Sequence, residues 1–199
     1  NEERARNWSS YDRYHEVFGE VVNFIDPSTL SVAQGTAGIH PNWVRRQIAN
    51  GSFDDIDVAN AHFYCGTSAP ALSRRNANTG GENLAPARLY DNLRFFAQAA
   101  DADGVDREAW ITEFGWDTLA GHVVTEHQQA AYAQRGYMIQ LVAGIDKCFW
   151  YWWRDTTKEP NNFFDGCGIF DPRNEAKPVA AAISAMAWML QRPEPVGTF

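Results

Sequence analysis

Four short apolar runs recur along the chain, at Thr29–Ala33, Ile56–Tyr64, Trp110–Phe114 and Lys147–Trp153, and each is separated from the next by a segment with helical spacing of its apolar residues. Strands buried on both faces read as continuous apolar runs, and neighbouring parallel strands need a long crossover, usually a helix, to connect them. This alternation predicts an α/β protein with a parallel sheet.

The helical segments are legible individually. Residues Trp8–Ile25 carry Tyr11, Tyr14, Val17, Phe18, Val21 and Val22 at helical spacing, and Asp26-Pro27 stops them. Pro41–Ala49 reads as a helix with Asn50-Gly51 at its C-terminus. Pro86–Ala100 places Leu89, Leu93, Phe96 and Ala97 on one side, and Thr125 opens a helix running to Val142, with Glu126 in the first turn where the helix dipole favours a negative charge. A last helix spans Pro178–Leu190. The long polar loop Gly66–Glu82 exceeds what a connection needs and is expected to cover a binding face.

Four strands and five helices, starting with a helix, fit the second half of an eight-stranded (β/α)8 TIM barrel, which usually takes about 250 residues. The chain has 199 residues. Residues 1–190 are expected to supply about strands five to eight with their helices, and 191–199, with two prolines, to form an exit segment. The alternative is an open doubly wound sheet, but no GxGxxG loop follows any strand. Half a barrel has two unpaired edges and an open core face. Its first half is therefore expected in the same polypeptide, or in a second chain, with self-association as the remaining possibility. The first is favoured because Asn1-Glu2 begins inside a motif and Phe199 ends without a stop signal.

The formal charge of −8 and pI near 5.0 argue against nucleic acid or an anionic membrane as partner. No run of 18 apolar residues is present. Cys65, Cys148 and Cys167 have no zinc spacing; free thiols are expected, with a Cys65–Cys167 bridge as the alternative. No metal and no cofactor is expected.

In a parallel barrel the C-terminal strand ends build the active site. Here those ends read Asn1-Glu2, Gln34-Gly35, His62-Phe63-Tyr64, Glu113-Phe114-Gly115-Trp116 and Trp150 through Asp155. Four of the five carry groups suited to acid–base chemistry or ring stacking. His15, within a helix, is expected to be exposed.

The ordered set "AHFY", "TEFGW" and "FWYWWRD" resembles the clan A glycoside hydrolases, nearest their cellulase-like and xylosidase-like members. The resemblance spans nearly the whole chain. It implies a retaining enzyme that cleaves β-linked glycosidic bonds in an oligosaccharide or polysaccharide. In that clan an Asn-Glu pair ends the fourth strand and a Glu ends the seventh. On that pattern Glu2 is the acid/base and Glu113 the nucleophile. Asn1 would bond the sugar 2-hydroxyl, Tyr64 would donate to Glu113, and His62 would orient a hydroxyl or a carboxyl. Trp116 belongs to the substrate-binding set. Of Trp152 and Trp153 only one can point inward along a strand, and Trp152 is the expected floor of the sugar site. The substrate class implies secretion. The competing readings are a carbohydrate-binding barrel without chemistry, and an aldolase-like or isomerase-like barrel. The latter wants a lysine or a phosphate-gripping loop at a strand end, whereas Lys147 stands at the start of its strand.

Overall fold

The computed structural model of the chain describes residues 2–72, 88–119, 123–156 and 164–191, with side chains from residue 10 onward except that of Leu72. Asn1, the Glu2 side chain, the 66–82 loop beyond Leu72, the helix start at Pro86 and residues 192–199 of the exit segment lie outside the described residues.

Helices and strands alternate as expected: α1 (Glu2–Ile25), α2 (Pro41–Ala49), β1 (Val58–Tyr64), a 3-10 turn (Pro70–Leu72), α3 (Leu89–Ala100), β2 (Glu108–Gly115), α4 (Glu126–Val142), β3 (Lys147–Trp150) and α5 (Pro178–Met189). The helix ends follow local chemistry. Pro41 opens α2 at a position where its missing N–H costs nothing, and Gly51 follows with φ 81°. Thr125 caps α4, its hydroxyl accepting from Gln128 N at 3.1 Å. Helix α1 begins at Glu2, six residues before its expected start at Trp8.

The sheet is parallel, in the order β1-β2-β3. Two expectations are corrected here. Thr29–Ala33 does not form a full strand; Val32 and Thr36 each make one parallel bridge to β1, at Val58 and Ala61. Between them Gly35 passes close against the His62 ring. The third strand ends at Trp150 rather than Trp153, because the backbone changes partners: Trp152 N donates to Cys167 O, and Phe170 N to Trp153 O. The Tyr151–Trp152 peptide is cis.

The core lies between the outer face of the sheet and the helices. Ala59, Ala61 and Phe63 of β1 and Ala109, Ile111 and Phe114 of β2 are all buried on that side. They meet Trp43 and Val44 of α2 and Leu93 and Phe96 of α3 in one cluster. Burying each large apolar side chain stabilises the fold by about 1.5–3 kcal/mol. His15, expected to be exposed, is 0% exposed in this core, edge-on to Phe53 at 5.1 Å, and its Nε2 accepts from Gln34 N. The three cysteines form no disulfide with one another; Cys65 and Cys167 are buried. No described helix is long and apolar enough to cross a membrane.

The other face of the sheet carries Asn60, His62, Tyr64, Trp110 and Thr112. Near its lower end Lys147 pairs with Glu108 at 3.2 Å and sits 4.1 Å over the Trp110 ring, and Phe149 is 47% exposed.

Candidate active site

Strict strand alternation would send Glu113 to the wrong side. Ile111 faces the helices and is fully buried, so an ideal strand would also aim Glu113 at the helices. The register shows why it does not. Ala61 pairs with Ile111, yet His62 pairs with Glu113, leaving Thr112 as an extra residue. The third strand reports the same insertion, since Cys148 pairs with Ile111 and Trp150 with Phe114. This bulge at Thr112 resets the alternation, so Thr112 and Glu113 both reach the open face while Phe114 returns to the core.

A polar chain follows from this placement. Asn60 Nδ2 donates to Ala33 O at 3.3 Å, which fixes its Oδ1 as an acceptor for the Thr112 hydroxyl at 2.9 Å. With its only proton used, Thr112 Oγ1 accepts from His62 Nε2–H at 2.9 Å. The other ring nitrogen, Nδ1, stands 3.5 Å from Glu113 Oε2. Burial lowers the His62 pKa, opposed by the charge of Glu113. Gly35 makes room for this ring, because a Cβ there would lie 2.2 Å from His62 Nε2.

Tyr64 donates to the same Glu113 oxygen at 2.9 Å. Burial, then the charge of Glu113 and its hydrogen bond, push the phenol pKa far above its ordinary value, so Tyr64 keeps its proton and acts as a fixed donor. Around this pair stands an aromatic wall. Phe164 meets Tyr64 at 4.7 Å and Tyr151 at 5.6 Å, and Tyr151 stacks on Trp152 at 5.3 Å with 13° between the planes. Burial, and next the charge of Glu113, raise the Tyr151 pKa. The arrangement is a carboxylate held by Tyr64 beside flat apolar surfaces, which suits attack on a carbon bearing a ring-shaped substrate.

His62, Tyr64 and Glu113 thus come together, and Trp152 joins them through Tyr151. Trp153 is 67% exposed and packs on Phe170, away from that stack. Trp116 does not join the site. Its ring is 1% exposed, among Phe114, Tyr132 and Trp150, and its Nε1 donates to Ser68 O. The bulge explains this correction too: it places Phe114 and Trp116 on the helix side. Glu2 begins α1, and its side chain and Asn1 lie outside the described residues. Sequence reasoning missed Tyr151, Phe164, Thr112 and Asn60. Asn60 stands two residues before His62 on the same strand face, Thr112 lies in the TEFGW motif and Tyr151 in the strand-end run Trp150 through Asp155, so these three had a signal and Phe164 had none.

No protein-family model and no curated protein matches the chain. Solved structures do. A family 39 glycoside hydrolase from Bacteroides cellulosilyticus WH2 aligns over 92% of the chain with a TM-score of 0.77 and 22% identity. A monomeric β-xylosidase from Caulobacter crescentus CB15 aligns over 87% with a TM-score of 0.59 and 20% identity. A family 39 enzyme from Xanthomonas axonopodis pv. citri aligns over 87% with a TM-score of 0.60 and 18% identity. The chain spans 38%, 36% and 35% of those three structures. It has the fold of part of a (β/α)8 barrel of the type found in clan A glycoside hydrolases.

Proposed function

We propose that the chain supplies the nucleophile side of a retaining glycoside hydrolase acting on β-linked sugars. The observation that carries this reading is the Thr112 bulge, which delivers Glu113 to the same face as Tyr64 and His62. Strand C-termini are where such barrels do their chemistry. In the proposed reaction Glu113 attacks the anomeric carbon while Glu2 protonates the leaving oxygen. Glu2 then takes a proton from the water that releases the sugar from Glu113. Two carboxyl groups about 5–5.5 Å apart are required for this double displacement. Asn1 bonds the 2-hydroxyl, and Trp152 with Tyr151 forms the apolar floor. The substrate is a plant- or microbe-type oligosaccharide or polysaccharide. The remaining strands come from the same polypeptide or from a second chain, an assignment supported by the share of the matched structures that the chain spans.

The test is Glu113→Ala in the complete barrel with an aryl β-glycoside as substrate. Hydrolysis is expected to be lost with the fold intact. Activity that survives the change removes the assignment, and sugar binding without hydrolysis by the parent supports a carbohydrate-binding barrel instead.

A further inference from the structure

The segment bearing the aromatic wall is fastened at its base by a buried ion pair outside the site. Lys177, at the N-cap of α5, and Asp155, just after β3, have side chains 2% and 3% exposed. The ammonium group has three protons and three acceptors: Asp155 Oδ2 at 2.8 Å, Gly166 O at 2.9 Å and Thr118 Oγ1 at 2.9 Å. The second Asp155 oxygen accepts from Gly168 N at 2.7 Å. There is no slack at this junction, since a Cβ on Gly168 would stand 2.3 Å from Asp155 N. One cation therefore ties the turn after β2, the turn after β3 and residues 166–168 to the start of α5.

The clasped residues hold the wall. Cys167 lies between the two glycines. Its carbonyl accepts from Trp150 Nε1 at 2.8 Å and from Trp152 N, and its N–H donates to Phe164 O at 3.2 Å. Phe164 in turn packs on Tyr64, the donor to Glu113. A buried ion pair suffers a desolvation penalty that can exceed its attraction, so such a pair is weak evidence for stability. Burial indeed raises the Asp155 pKa, against the opposing hydrogen bond and charge of Lys177. Fixing a geometry is the better account of its presence.

We propose that Lys177 is a positioning residue: through Asp155 and Gly166 it sets Cys167 and Phe164, and so holds Tyr64 against Glu113. The kinetic consequence rests on the hydrolase reading, and the structural consequence does not. Lys177→Met alone strands the Asp155 charge, so the decisive variant is Asp155→Asn with Lys177→Met, which removes both charges and leaves no orphaned ion.

In the complete barrel this double variant is expected to fold with a melting temperature near the parent's. Its kcat on an aryl β-glycoside should fall roughly tenfold or more with KM little changed, the pattern of a displaced reacting group, and its pH profile should shift. The nuclear Overhauser contact between the Phe164 and Tyr64 rings should weaken. A double variant that keeps the parental kcat, pH profile and ring contact overturns the proposal, and so does one that fails to fold, which would assign the pair to stability. A parent inactive on aryl glycosides defeats the hydrolase reading instead, and the ring contact then decides the role of Lys177 alone.

Discussion

Replacing Tyr64 by phenylalanine removes one oxygen and leaves the ring packing on Phe164 in place. The lost bond is a 2.9 Å donor to Glu113, from a phenol that burial and the carboxylate keep protonated. Hydrogen bonds to charged groups are worth about 1.5–3 kcal/mol. In the proposed double displacement this bond acts unequally on the two steps. When Glu113 attacks, its charge is spent, and the bond favours the starting state. When the glycosyl ester breaks, charge returns to the carboxylate, and the bond favours the transition state. At about 1.4 kcal/mol per factor of ten, deglycosylation in Tyr64→Phe slows by up to about ten- to a hundredfold, while glycosylation is not slowed. The assay is stopped-flow hydrolysis of an activated aryl glycoside. The variant should release a stoichiometric burst of aryl product followed by a slow steady state. An unchanged steady-state rate with no burst would refute the unequal role of this bond.

Two further outcomes follow from the same geometry. In Gly35→Ala the new Cβ forces the His62 ring back by about 1.2 Å (3.4 − 2.2) to reach ordinary contact. Losing the Thr112 bond and leaving a favoured rotamer together cost about 1–3 kcal/mol. The urea midpoint should fall with the m-value unchanged; an unchanged midpoint would show that the backbone yields instead. Burial lowers the pKa of His15 below its ordinary 6.5. The unfolded chain therefore takes up this proton first as pH falls, and the contribution is complete above 6.5 and declines below it. Urea midpoints at about pH 7.5 and 5 should differ, and His15→Gln should flatten the difference; a slope that His15→Gln leaves intact places the effect elsewhere.

Much of the fold was legible because local chemistry and tertiary contacts agree. Pro41 and Asn50-Gly51 bound α2 as expected, and Thr125 with Gln128 caps α4. Alternation of helix and apolar strand specified the parallel sheet. The failures have a shared cause in backbone detail that residue types do not encode. Thr29–Ala33 has strand composition, but its pairing is reduced to isolated bridges. His62, Tyr64 and Glu113 were identifiable as strand-end residues, yet simple alternation from Ile111 aims Glu113 at the helices. Only the extra residue at Thr112 turns it inward, and the same insertion buries Trp116. Phe164 reaches Tyr64 from a loop distant in sequence, through contacts anchored at Lys177, and no local pattern announces it.

The most direct measurement of Glu113 as nucleophile is covalent trapping. The complete barrel would be inactivated with a 2-deoxy-2-fluoro-β-glycoside bearing a good leaving group, digested and sequenced by mass spectrometry. The account predicts one sugar, esterified to Glu113. A label on any other residue, or turnover in which the first-formed product has inverted anomeric configuration, would contradict it.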